Sequence, residues 1–148
     1  MATEWILIAN AATARLLRRE HGQPLAALAS FAHPAGRLQS ALLGADRSGR
    51  EPAGRGRGGA AFAPRLDAQR KEHLQFAREL ADYLEHAAAD ARYDTVTLVA
   101  GDPFLGRLKE ALGAATRRRL ADCVALDLTH VGSAELEARI RRARSAPA

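Results

Sequence analysis

Apolar runs separated by short turn signals fill the N-terminal third of the chain. Residues 5–9 read Trp-Ile-Leu-Ile-Ala, an uninterrupted apolar run that is typical of a strand buried on both faces. Asn10 opens a turn, since Asn tolerates the left-handed backbone that tight turns use, and a second strand is predicted over 13–19. A turn signal at 21–24 precedes a third strand over 25–31. Together these segments predict an antiparallel meander.

The C-terminal half alternates helices with strands. Apolar residues spaced three and four apart predict a long amphipathic helix from about Asp67 to Ala91. The β-branched run 95–100 predicts a strand, and Asp102 followed by Pro103 predicts a helix start with Asp102 as N-cap. The remaining predicted elements are a short helical turn over 116–121, a strand over 123–127 and a helix from Ser133 to about Arg144.

This order of elements predicts one α/β domain over residues 1–148. Three meander strands followed by two strand–helix crossover units give a mixed five-stranded sheet, antiparallel in the meander and parallel in the crossovers, with helices on its faces. The first strand is expected at the centre, with the strand 95–100 beside it. In outline this is the ribonuclease-H-like arrangement.

Residues 34–67 show no periodicity and are predicted to form a long flexible loop rich in Gly and Arg. Lys and Arg outnumber Asp and Glu by 22 to 17 in the whole chain, and much of that excess lies in this loop. Arg-rich segments can bind RNA by folding on contact, although an aromatic content of 5% argues against a binder built on base stacking. The candidate nucleic-acid-binding residues are Arg47, Arg50, Arg55, Arg57, Arg65, Arg117, Arg118 and Arg119. A solubilising loop in an Arg-biased protein is the alternative interpretation.

Composition excludes several classes of protein. A single cysteine, Cys123, cannot form an internal disulfide, and it is interpreted as a small hydrophobic residue of a strand. No run of 18 apolar residues is long enough to span a membrane, and no signal peptide is visible, so a cytoplasmic protein is expected. The five histidines show no metal-ligand spacing, and no phosphate-binding loop motif occurs, so neither a metal nor a cofactor is expected.

Acidic residues at strand ends leave an enzymatic alternative open. Asp102 and Asp127 follow predicted strands and could approach each other, and His130 lies nearby, which would suit an unrecognised hydrolase or nuclease. Two-metal nuclease chemistry of the ribonuclease H type also needs an acid on the central strand. Residues 5–9 contain none. A non-enzymatic protein is therefore favoured.

The ordered motifs of the chain resemble those of the bacterial host attachment protein family. The matching residues are Trp5–Leu17, His33, Pro34, Asp46, Arg47, Gly49, Arg50, Phe76, Ala77, Phe104–Gly106 and Asp127–Thr129. The resemblance implies a role in the attachment of bacteria to host cells. It also implies a relation to the middle domain of archaeal and eukaryotic class I release factors, which is ribonuclease-H-like.

That release-factor domain carries a Gly-Gly-Gln loop before a long helix, and the loop drives peptidyl-tRNA hydrolysis. Gly58 and Gly59 stand at the corresponding place, but residue 60 is Ala, which has no amide to position a water molecule. The resemblance thus implies a role in association with the ribosome or RNA, without catalysis. The alternative is a protein-interaction module that acts in attachment without nucleic acid. The sequence leaves the oligomeric state open.

Overall fold

The chain forms a mixed sheet with helices on its faces. The structure, a computed structural model, describes residues 2–33 and 58–145, and within the long helix it describes side chains from Asp67 onward. The elements are β1 (Thr3–Ala9), β2 (Thr13–Glu20), β3 (Ala26–Ala32), α1 (Gly58–Ala89), β4 (Thr95–Ala100), α2 (Phe104–Ala111), α3 (Ala114–Arg119), β5 (Leu120–Val124) and α4 (Ser133–Ser145).

The sheet has the strand order β3-β2-β1-β4-β5, so the predicted mixed five-stranded sheet is confirmed. β1 pairs antiparallel with β2 and parallel with β4, and β4 pairs parallel with β5. β1 is therefore the central strand, as its uninterrupted apolar run predicts. The likeness to the ribonuclease-H arrangement stays a prediction from the order of the elements.

Alternate residues of β1 build two separate cores, because successive side chains of a strand point to opposite faces. Trp5 and Leu7 pack with α1 and α2 on one face. Ile6 and Ile8 pack with α4 on the other. A fully buried Leu or Ile side chain contributes about 1.5–3 kcal/mol, so both layers stabilise the sheet. None of the helices in the described ranges is long and apolar enough to cross a membrane.

The long helix begins at Gly58, nine residues before the predicted start at Asp67. Gly58, Gly59 and Ala60 are therefore the first residues of α1, and the prediction that they belong to a loop preceding the helix is wrong. Ala and Phe follow the glycine pair and support a helix, whereas the glycines and Pro64 lower helix propensity and obscure this turn in the sequence.

Two boundaries in the C-terminal half also differ from prediction. The last strand is Leu120–Val124 rather than 123–127, because it pairs with β4 directly after α3 ends, with Val96 opposite Leu120. Asp127 consequently lies in the segment after β5. Pro103, not Asp102, is the N-cap residue of α2, and within the described residues no side-chain hydrogen bond caps that helix.

A glutamate of α1 takes the capping role at α3. The Glu85 carboxylate accepts hydrogen bonds from the backbone N–H of Ala115 at 3.1 Å and of Thr116 at 3.0 Å, and from the Thr116 hydroxyl at 2.8 Å. These bonds from Thr116 lower the pKa of Glu85. They join α1 to the first turn of α3, where unpaired N–H groups favour a negative charge.

Candidate functional site

A cleft of about 460 Å³ opens at the carboxyl ends of the parallel strands. Asn10 follows β1, Gly101 follows β4, and Asp127 lies beyond β5, and all three line the cleft. Parallel strands end at the same edge of a sheet, and open α/β sheets bind their ligands in the crevice at that edge. Position and shape make this cleft the candidate site.

Two helices supply a cationic wall to the cleft. α1 contributes Gln69, Arg70 and His73, and α2 contributes Arg107. Arg70 is exposed, whereas His73 and Arg107 are half-buried. Burial lowers the pKa of His73 and the charge of Arg107 lowers it further. The lowered pKa favours the neutral imidazole of His73 at neutral pH, in the cleft that Arg70 and Arg107 also line.

A second wall, at the strand ends, consists of Asn10, Asp102 and Asp127, and hydrogen bonds through Thr129 join Asn10 to Asp127. The Asn10 side-chain amide donates to Thr129 Oγ1 at 3.0 Å, and Thr129 Oγ1 donates to Asp127 Oδ1 at 2.6 Å. The Thr129 backbone N–H also donates to Asp127 Oδ1, at 3.0 Å. The hydrogen bond from the Thr129 side chain is the main cause of a lowered pKa of Asp127. Asp127 is thus held as an oriented, ionised acceptor.

Asp102 lines the same cleft as Asp127, so the structure brings these two predicted strand-end acids into one site. A Cβ atom placed at Gly101 would lie 3.9 Å from the Asp127 Cβ, which shows how closely the segments after β4 and β5 approach each other. His130 does not line the cleft and is exposed. Within the described residues, no group of three or more His, Cys, Asp or Glu side chains could hold a metal ion.

His33 lies buried at the end of β3, with a side chain 2% exposed. Its backbone N–H donates to Ala12 O at 3.0 Å, and its ring packs against Phe76 with centroids 5.5 Å apart. Glu79 Oε1 lies 3.5 Å from Nδ1, and neither ring nitrogen has a hydrogen-bond partner in the described part of the chain. His33 therefore joins the β3 end to α1 and to the turn after β1.

The arginine triplet of α3 lies outside the cleft. The Arg117 guanidinium donates to three backbone carbonyls at the end of α2, including Leu112 O at 3.0 Å. Arg119 donates to Tyr93 O at 2.9 Å and lies over the Tyr93 ring. Arg118 is exposed. Two of the three arginines in this triplet, Arg117 and Arg119, thus hold backbone groups in place.

Most other predicted site residues lie outside the described residues. Arg65 lies in α1, in the same stretch as Gly58, Gly59 and Ala60. The residues outside the described ranges are Pro34, Asp46, Arg47, Gly49, Arg50, Arg55 and Arg57.

Four residues of the cleft were not predicted from the sequence: Gln69, Arg70, His73 and Arg107. The first three occupy positions i, i+1 and i+4 of a helix, a spacing that places them on one side of it. That spacing alone could have marked them as a shared surface. Their meeting with Arg107 depends on how α2 packs against α1, which no local pattern encodes.

The arrangement favours binding over bond cleavage. Arginines offer only hydrogen-bond donors, and carboxylates offer only acceptors, so the two sets of residues suit different groups of a ligand. The apolar surface of Ala11 and Pro103 lies in the same cleft. A ligand that carries both an anionic group and hydroxyl groups matches this lining.

Comparison with family models gives a match over most of the chain. The family model described as "Protein required for attachment to host cells" matches residues 5–140. That range contains every element that lines the cleft. No curated protein matches the chain.

Proposed function

The chain belongs to the family of proteins required for attachment to host cells, and we propose that it serves there as a non-enzymatic protein that binds RNA in its cleft. The observation that carries this proposal is the presence of Arg70, Arg107 and His73 in one concave site at the carboxyl edge of the sheet. Guanidinium groups bind phosphate through paired hydrogen bonds, and they keep their charge at every physiological pH.

The arginines of the segment before α1 extend this proposal. Arg47, Arg50, Arg55 and Arg57 would add contacts to RNA phosphates, and the ribosome is the RNA-rich partner that the sequence resemblance suggests. Replacement of all four by Ala should reduce co-sedimentation with ribosomes and make the remaining binding less sensitive to salt. Unchanged co-sedimentation would exclude this segment from RNA binding.

The binding experiment compares matched variants by fluorescence anisotropy with a labelled single-stranded RNA. Arg70→Gln combined with Arg107→Gln should weaken binding roughly tenfold or more, and should lower the slope of log K against log salt by about one for each arginine. Arg142→Gln removes an exposed arginine of α4 on the opposite face of the sheet, and it should change little. Equal effects of the cleft and control variants on RNA affinity would overturn the proposal. An absence of RNA binding would also overturn it, and would favour attachment through a protein partner.

A second candidate function is hydrolysis, because Asp102 and Asp127 share the cleft with a neutral imidazole. A neutral His73 ring can accept a proton from water, and a nearby carboxylate can orient that ring. Turnover of a phosphodiester substrate that disappears in His73→Gln, while RNA binding persists, would support hydrolysis over binding alone.

A further inference from the structure

We infer that the cleft takes a nucleoside 5′-phosphate whose ribose carries a free 2′,3′-diol, either as a free ribonucleotide or as the terminal residue of an RNA. This inference rests on the proposed function and adds the part of the ligand that the cleft recognises. It is carried by the size of the cleft and by a lining that combines two arginines with two carboxylates.

The size of the cleft fits one nucleotide. Its volume of about 460 Å³ lies within the range of pockets that enclose one small molecule, about 300–1,000 Å³. A run of several stacked nucleotides would need a longer groove. The cleft therefore seats a single residue of any RNA that it binds.

The charged residues of the lining determine which group of the nucleotide each of them can bind. Arg70 and Arg107 attract the 5′-phosphate, whereas Asp102 and Asp127 repel it. The carboxylates accept hydrogen bonds and cannot donate them when ionised, so they require donors on the ligand. The hydroxyl groups of a ribose supply such donors, and carboxylates bind ribose in this way in dinucleotide-binding folds.

Two acceptor carboxylates match two hydroxyl groups. An internal ribonucleotide offers only its 2′-hydroxyl, and a deoxyribonucleotide at a chain end offers only its 3′-hydroxyl. A terminal or free ribonucleotide offers both. Thr129 holds the Asp127 carboxylate in one orientation through two hydrogen bonds to Oδ1, so this acceptor is already aligned before a ligand arrives. Ala11 and Pro103 provide an apolar surface for the base or the sugar.

The test measures binding of four ligands to the full chain by calorimetry and anisotropy. Adenosine 5′-monophosphate should bind about tenfold or more tightly than its 2′-deoxy analogue, because a hydrogen bond to a charged acceptor is lost. An RNA oligonucleotide with a free terminal diol should likewise bind more tightly than the same oligonucleotide with a 3′-phosphate. The oligonucleotide pair reports on the RNA end, and the mononucleotide pair reports on the free ligand.

A variant pair assigns the preference to the acidic wall. Asp127→Asn should reduce the difference in affinity between RNAs with a diol end and RNAs with a 3′-phosphate end, because the amide can donate a hydrogen bond to phosphate. Asp90→Asn makes the same charge change at the exposed end of α1 and should leave the preference intact. The comparison of ligands uses the unaltered protein, so its result does not depend on whether any variant folds.

Three results separate the outcomes. Tighter binding of the diol ligands supports the inference. Equal binding of all RNA ends and both mononucleotides, with dependence on Arg70 and Arg107 retained, would overturn it and leave the proposed function standing. Binding of no ligand would overturn both.

Discussion

The Asn10 side-chain amide donates a hydrogen bond to Thr129 Oγ1 at 3.0 Å, and this bond joins the end of β1 to the segment after β5. The same Asn10 accepts, through Oδ1, hydrogen bonds from the backbone N–H groups of Ala12 and Thr13, each at 2.8 Å. Thr129 in turn fixes Asp127. One asparagine therefore shapes the turn after the central strand and positions the acidic wall of the cleft.

Replacement of this asparagine should cost stability and binding together. Asn10→Ala removes these three hydrogen bonds and a fourth, from the Thr13 hydroxyl at 3.4 Å, and we expect the free energy of unfolding to fall by about 1–3 kcal/mol. Urea denaturation measures this change. Thr129→Ser keeps the hydroxyl group and should stay within about 0.5–1 kcal/mol of the parent protein. A stable Asn10→Ala protein with unaltered RNA binding would show that the link does not position the site.

Two glycine substitutions should change stability in opposite directions. A Cβ atom at residue 113 would overlap the Glu85 carboxylate that caps α3, so Gly113→Ala should destabilise the fold by about 1–2 kcal/mol through loss of the cap. Gly106 lies exposed in α2, and a methyl group added there would meet open space, so Gly106→Ala should raise stability by about 0.5–1 kcal/mol. Thermal unfolding distinguishes the two signs. Stabilisation by Gly113→Ala would mean that Glu85 has room to move.

The charge cluster around Glu4 predicts a specific loss of stability in acid. Burial by itself raises the pKa of Glu4, but hydrogen bonds from Arg19 and Thr97 and the charge of Arg144 outweigh burial and lower it. The Glu4 carboxylate lies 2.9 Å from Arg19 and 3.1 Å from Arg144, with its side chain 17% exposed. A lowered pKa in the folded state means that this contribution is present above the ordinary pKa of 4.5 and is lost as pH falls through the folded value.

Glu4→Gln tests this linkage. The substitution should lower the free energy of unfolding by about 2 kcal/mol at neutral pH, since hydrogen bonds to a charged group are weakened. The difference from the parent protein should shrink as the pH falls from the ordinary value of 4.5 through the lowered pKa of folded Glu4, because the parent carboxyl then becomes protonated as well. Glu110→Gln changes an exposed glutamate of α2 and should show no such pH-dependent difference. A difference that stays constant with pH would contradict the linkage.

RNA binding should strengthen as the solution is acidified. Burial and the charges of Arg107 and His33 lower the pKa of His73, whereas Glu72 acts in the opposite direction, so the imidazole gains its proton below its ordinary pKa of 6.5. A third positive charge in the cleft should tighten RNA binding about two- to fivefold once the pH has fallen from about 7.5 through the lowered pKa of His73. His73→Gln should remove this change, whereas His86→Gln, at an exposed position of the same helix, should keep it. An identical pH response in both variants would exclude His73 as its source.

The fold was largely predictable because its signals are local. The uninterrupted apolar run of β1 and the β-branched run of β4 identify the two central strands, and both strands lie where they were expected. β2 and β3 begin and end within one residue of their predicted limits. The predicted start of α1 and the predicted limits of β5 were wrong, because packing and strand pairing determine these boundaries rather than composition.

The candidate site was predictable only in part. Asp102 and Asp127 were singled out as strand-end acids, and they share the cleft because parallel strands end together. Arg70, His73 and Arg107 were missed, because two helices that are far apart in the chain bring them together only in the folded protein. Of the arginines expected to bind nucleic acid, Arg117 and Arg119 instead donate hydrogen bonds to backbone carbonyls.

The central claim is that the cleft at the carboxyl edge of the sheet is where RNA binds, and amide chemical shifts locate binding most directly. On titration of ¹⁵N-labelled protein with a short single-stranded RNA, we expect progressive shifts at residues 10–11, 69–73, 101–107 and 127–129. Amides of α4, on the opposite face, should stay unchanged. Shifts confined to α4, or an unchanged spectrum at saturating RNA, would contradict this claim.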